Sequence, residues 1–156
     1  MKQKILIAFD DSENAMRAVA FVADTFTPES HVTLFHVLQD TAALCEMNSP
    51  ELTSYFQSRQ TTFCALEDQK KNLVEEAMQK AKALLVKVGF DAAQISLKLE
   101  TKKNGVARDI VSESKNGYTL VVLGRRGLSG IREFILGSVS QKILHLAKDL
   151  SVLMVN

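Results

Sequence analysis

Tryptophan is absent, and proline and cysteine occur only twice each in 156 residues. With seven glycines and two prolines, collagen-like, low-complexity and mucin-like chains are excluded. Charge of one sign is also missing. Nineteen Lys and Arg stand against eighteen Asp and Glu, for a formal net charge of +1. That excludes a globally basic nucleic-acid binder, so no nucleic-acid partner is expected. No stretch approaches the roughly 20 apolar residues of a membrane span. The apolar run near the start is too short for a signal peptide, and Asp10 and Asp11 follow it at once. The expectation is therefore a cytoplasmic protein without a membrane partner. Cys45 and Cys64 lie 19 apart, with no second pair and no nearby His. The spacing supports neither a zinc site nor a disulfide framework and reads as two reduced thiols. No adjacent basic residues argue for a lowered thiol pKa.

What is present is apolar sequence in short, ordered pieces. Hydrophobic residues make up 46% of the chain. A chain of this size buries about 70% of its unfolded surface, enough for one domain over 1–156 without staples. Residues 4–9, apolar without a break from Ile5 to Phe9, bear the mark of a strand buried on both faces. Ser12 can cap a helix over about 13–26, with Ala15, Val19, Phe21, Val22 and Phe26 inward and Pro28 ending it. Residues 31–38 are β-branched and apolar, a second strand. Residues 39–65 are polar, contain Pro50 and show no sustained period. They read as an insertion, partly helical or mobile, that Tyr55, Phe56 and Phe63 pin down.

A helix is predicted over about 66–88, with Leu66, Leu73, Val74, Ala77, Met78, Ala81, Leu84, Leu85 and Val88 as its stripe and Gly89 after its end. Residues 94–100 alternate strictly, as a half-buried edge strand does. Asn104 and Gly105 open a helix to about 115, and Gly117 breaks it. Strands follow at 118–123 and 151–155, separated by a Gly-rich stretch over 124–137 and a helix over about 138–148. Strands alternating with helices predict an open five-stranded parallel α/β sheet, helices on both faces, in the order 3-2-1-4-5. That order reverses between strands 1 and 4, and ligands bind beyond the carboxyl ends of strands at such a switch point. Asp10-Asp11-Ser12 and the loop from Gly124 meet there. The fifth strand, apolar at Val152, Leu153, Met154 and Val155, would invite pairing as an exposed edge, so a homodimer through 151–155 is expected.

The stretch Gly124-Arg125-Arg126-Gly127 through Gly137-Ser138-Val139-Ser140 carries the chemistry. Glycines let backbone amides approach an oxygen-rich ligand. A helix starting after Gly137 offers unpaired N–H groups, a positive dipole end and two hydroxyls. Arg125, Arg126 and Arg132 add positive charge, and together these features describe a phosphate cradle. Asp10, at a strand end, suits sugar hydroxyls, or equally a turn or helix cap. His36 reads as a strand residue rather than a catalyst.

Gly124-x2-Gly127-x9-Gly137-Ser138 resembles the G-x2-G-x9-G-[S/T] signature of the ATP-binding members of the universal stress protein family. The opening Ile7-Ala8-Phe9-Asp10-Asp11-Ser12, the His36-Val37 pair and Leu123-Gly124 resemble it too. The resemblance implies a Rossmann-like nucleotide fold and a stress-response regulator that binds ATP, with Mg2+ or Mn2+ between the phosphates. It implies that Ala8 lines the adenine pocket, Asp10 lies beside ribose and adenine, and Val37 offers its backbone to the adenine edge. Gly124, Arg126 and Gly127 would bracket ribose and phosphates, and Gly137, Ser138, Val139 and Ser140 would hold the phosphates. Arg125 stands where members often carry Ser, and Leu150-Ser151-Val152 replaces the usual Cys-Pro-Val. Two other functions remain open. A slow ATPase or phosphotransferase would have to work without the P-loop G-x4-G-K-[ST], which is missing. A nucleotide-free dimeric interaction module would require Arg125 to fold inward and fill the phosphate site.

Overall fold

The computed structural model describes residues 2–47, 53–125 and 137–156. Among the described residues eleven elements follow one another: β1 (Lys4–Ala8), α1 (Glu13–Thr25), β2 (His31–Leu38), α2 (Ala42–Cys45), α3 (Ser54–Lys87), a 3-10 turn (Ala92–Gln94), β3 (Ile95–Thr101), α4 (Val106–Ser114), β4 (Leu120–Gly124), α5 (Ser138–Leu146) and β5 (Ser151–Val155). The strands form one parallel sheet in the order β3-β2-β1-β4-β5. This is the expected order, and it leaves the alternating β3 at one edge and β5 at the other.

The continuous apolar run of β1 is explained by burial on both faces. Ile5 and Ile7 pack with α1 (Ala15, Ala18, Val19, Val22) and α3 (Val74, Met78, Ala81, Leu85). Leu6 packs on the other face with Phe35, Val121, Leu123, Ile110 of α4 and Ile143 of α5. Main-chain turns fall where sequence placed them. Gly89, Gly105 and Gly117 all have positive φ, at 109°, 120° and 83°. These are conformations that L side chains rarely adopt.

Three expectations need correction. The helix expected at 66 begins at Ser54, capped by the Thr53 hydroxyl, which accepts from the Phe56 N–H at 3.3 Å. Residues 53–88 hold no Gly or Pro, so nothing interrupts 34 helical residues. The body of the protein covers only the later turns. Leu66, Leu73 and Val88 of the predicted stripe are exposed, as are Tyr55, Phe56, Phe63 and, on α1, Phe21. Finally, Cys45 and Cys64 are not two free thiols: they form a disulfide with a Cα–Cα distance of 5.9 Å. Once α3 starts early, Cys64 lies on the flank that meets α2, where Gln60 Nε2 also donates to the Met47 carbonyl at 2.9 Å. Linear spacing alone could not show this juxtaposition. The bond removes the argument from reduced thiols for a cytosolic address.

Candidate functional site

At the switch point between β1 and β4, a cavity of about 330 Å3 opens beyond the strand ends. That is within the usual range of small-molecule pockets, about 300–1,000 Å3. Ala8, Asp10, Val37, Gly124, Gly137, Ser138, Val139 and Ser140 all line it, so every predicted site residue among the described ones is brought together. Arg126 and Gly127, like Arg132, lie outside the described residues. Ser12, expected at the switch point, lines the cavity as well, and so do Phe9, Asn14, His36, Gln39, Val106 and Ile110, which were not singled out for it. Residues beside a strand end or at a helix start were the available signal.

The sheet shapes the apolar end of the cavity. Pairing of β1 with β2 ends at Ala8 opposite Phe35, and the Phe9 N–H donates to the Phe35 carbonyl at 2.8 Å. Main-chain groups of a parallel strand alternate sides. Phe35 points its groups toward β1, and Leu38 accepts from Lys102 on the β3 side at 2.7 Å. Val37 therefore turns its N–H and C=O toward β1's side, past the point where β1 has ended. Phe35, Ile110 and Leu123 supply apolar wall nearby. The His36 ring donates from Nδ1 to the Phe9 carbonyl at 2.8 Å, tying the backbone that leads into Asp10. His36 is thus a strand residue with a positioning contact.

Three helices begin around the cavity, and their amino ends differ. Ser12 caps α1, accepting from the Ala15 N–H at 3.2 Å, and Asp10 Oδ1 accepts from the Ser12 N–H at 2.9 Å. Asp10 is therefore both a turn acid and a cavity residue. At α4, buried Asp109 accepts from the N–H groups of Lys103 at 2.7 Å and Asn104 at 3.0 Å. Burial pushes the Asp109 carboxyl up, but these backbone donors and the Lys103 charge outweigh it and hold the carboxyl below its ordinary value. At α5 there is no side-chain cap and no acid in the first turn. Gly137 accepts from the Gln141 N–H at 3.0 Å, and among the described residues the N–H groups of Ser138, Val139 and Ser140 have no acceptor.

Gly124 is explained by packing. A Cβ there would stand 2.3 Å from the Asn14 carbonyl oxygen, so the start of α1 fits only over a glycine. Gly137 has φ −57°, open to any residue, and no positive φ accounts for it. Arg125 turns away from the cavity, donating from Nη1 to Asn156 Oδ1 at 3.2 Å. The inward fold that would favour a nucleotide-free module is not seen at this residue. Among the described residues no group of three or more His, Cys, Asp or Glu could hold a metal ion by itself. Asp10 is the one carboxylate lining the described cavity.

A parallel sheet, its switch point and a helix start with no side-chain cap among the described residues define a ligand-type cavity at the strand ends of an open α/β fold. The model of the Universal stress protein family matches residues 1–156, and the chain belongs to that family. It is 26% identical over 149 residues to the universal stress protein YxiE of Bacillus subtilis, covering 94% of this chain and 95% of that protein. It is also 26% identical over 144 residues to a universal stress protein of Mycolicibacterium smegmatis, covering 92% of this chain but 45% of that longer protein. Among solved structures it resembles an Arabidopsis thaliana universal stress protein with AMP bound (TM-score 0.59, 16% identity, 98% of this chain and 90% of that one). Another is a universal stress protein in complex with cAMP (TM-score 0.63, 17% identity, 99% and 97%). At these identities the likeness is one of fold. No helix among the described residues is long and apolar enough to cross a membrane.

Proposed function

We propose that this protein binds ATP at the carboxyl ends of β1 and β4 and acts as a nucleotide-dependent regulator in the stress response. The carrying observation is the amino end of α5, where Ser138, Val139 and Ser140 line the cavity and, among the described residues, no capping side chain or first-turn acid answers their N–H groups. In this reading Ser138, Val139 and Ser140 take the phosphates, and Gly137 keeps the approach clear of a side chain. Gly124, Arg126 and Gly127 flank ribose and phosphates. Asp10 accepts from ribose with the oxygen that Ser12 does not use. Val37 meets the adenine edge with its main chain, and Ala8 lies under the base. A Mg2+ or Mn2+ ion would neutralise phosphate charge. The donor set fits an ion held chiefly by phosphate, since Asp10 is the single carboxylate of the described wall.

The family and the AMP- and cAMP-bound structures support this reading. Slow hydrolysis is less favoured, because Asp10 already accepts from the Ser12 N–H and no second carboxylate lines the described cavity to orient water. The outer edge of β5, apolar and half-buried at Val152, Leu153 and Met154, supports a homodimer through 151–155. We assign the protein to the cytoplasm, where the Cys45–Cys64 bond would be a reversible one.

Calorimetric titration with ATP and Mg2+ tests the binding. Saturable heat in wild type, with affinity reduced about tenfold or more in Gly137→Val at unchanged melting temperature, is the expected result. No heat at millimolar ATP, or full affinity in Gly137→Val, contradicts it.

A further inference from the structure

A second cavity, of about 490 Å3, lies between the first turns of α4 and the outer face of α5. Val106 and Ser138 line both cavities, so the second begins where the first ends, at the α5 amino terminus. Its lining carries two cations, Arg108 from α4 and Lys142 from α5, with the His145 imidazole beside them and no Asp or Glu. Lys142 and His145 are three apart on α5 and share a face. Among the described residues neither Arg108 nor Lys142 has an ion-pair or hydrogen-bond partner. Isolated cations beside an open helix end favour a chain of negative charge. Yet Val106 and Leu146 give the same groove an apolar floor. Guanidinium and imidazole groups are flat and stack on π-systems. An inorganic anion would leave those surfaces uncovered.

Resting on the nucleotide reading above, we infer that the groove receives the far half of a dinucleoside polyphosphate. The first nucleoside occupies the β1–β4 cavity. The phosphate chain passes Ser138 and runs between Arg108 and Lys142. The second base lies on the Leu146 floor against the His145 and Arg108 planes.

The test titrates ATP, adenosine 5′-tetraphosphate and diadenosine tetraphosphate, each with Mg2+, into wild type and into a double variant, Arg108→Ala with Lys142→Ala. Both side chains are exposed and outside the first cavity, and matching thermal melts verify that the variant is folded. The expected result is that diadenosine tetraphosphate binds wild type about tenfold or more tighter than ATP, and tighter than adenosine tetraphosphate. The double variant loses that advantage and binds ATP as wild type does. Equal affinities in wild type overturn the inference, as does an advantage that survives the double substitution. Adenosine tetraphosphate matching diadenosine tetraphosphate removes the second nucleoside and overturns it too. Failure of ATP itself to bind defeats the nucleotide reading and this inference together. Binding of ATP without further gain defeats only the inference.

Discussion

The amino ends of α1 and α5 face the same cavity but have been finished in opposite ways. At α1 the chain brings its own acceptors: the Ser12 hydroxyl on the Ala15 N–H, the Asp10 carboxylate on the Ser12 N–H, and Glu13 in the first turn. The positive end of that dipole is already answered. At α5 a glycine precedes two serines and a valine, with no capping side chain. A helix end normally satisfies its free N–H groups with a cap, water or a ligand. The contrast supports reading one terminus as a structural joint and the other, under the proposed function, as a place for an external anion. In the proposed reading it also divides the cavity, with the Asp10 carboxylate toward the sugar and the α5 amides, which have no acceptor among the described residues, toward the phosphates.

The joint side can be broken most severely at Gly124. Gly124→Val would drive a side chain into the Asn14 backbone, which cannot retreat without moving α1 off β4. A loss of about 3 kcal/mol or more in denaturant unfolding is expected, and ATP affinity falls with it because Gly124 also lines the cavity. A stable Gly124→Val protein that had lost only nucleotide binding would leave Gly124 its proposed ligand role and remove the packing role.

A smaller effect is expected at the third helix start, where Asp109 plays at α4 the part that Asp10 plays at α1. The Asp109 carboxyl is depressed in the folded state. Glu113 is depressed too: burial raises it, but Lys98 Nζ at 2.7 Å, Tyr118 at 3.0 Å and Asn116 at 3.0 Å outweigh that. Depressed folded values mean stability that is fully present above the unfolded carboxylate range, about pH 4, and lost as pH falls through the folded values. Asp109→Asn should cost about 2 kcal/mol at pH 7 and flatten stability against pH on the acid side. Unfolding curves between pH 2 and 7 that overlay for wild type and variant would remove Asp109 from that role.

The smallest effect sharpens the contrast itself. Ser12→Ala should cost about 1 kcal/mol in thermal or chemical unfolding, the usual worth of an N-cap, and leave ATP affinity unchanged. A large loss of affinity without loss of stability would mean that both helix ends serve the ligand.

Legibility in the sequence followed the range of the interactions. The strand order was readable because β1 is apolar from Ile5 to Ala8 and β3 alternates, which assigns centre and edge directly. Of the eight described cavity residues, Asp10, Gly124, Gly137, Ser138, Val139 and Ser140 were readable from a strand end and a Gly-rich loop with a Gly-Ser helix start, while Ala8 and Val37 came only from the family resemblance. Gly124 was placed correctly for an incomplete reason, since the Asn14 backbone that forbids its side chain is 110 residues away in sequence. The Cys45–Cys64 bond was missed because it depends on where α3 begins, and α3's exposed turns carry no burial period to reveal them. Thr53 and the lack of Gly or Pro after it were the local signs of that start.

The most direct measurement is a two-dimensional amide NMR titration of the 15N-labelled protein with ATP and Mg2+. The account predicts large, saturable shifts at the amides of Ser138, Val139 and Ser140, with the Ala15 amide, already bonded to Ser12, moving little. Saturation with the α5 amides unmoved, or with the main response at α1, would contradict it.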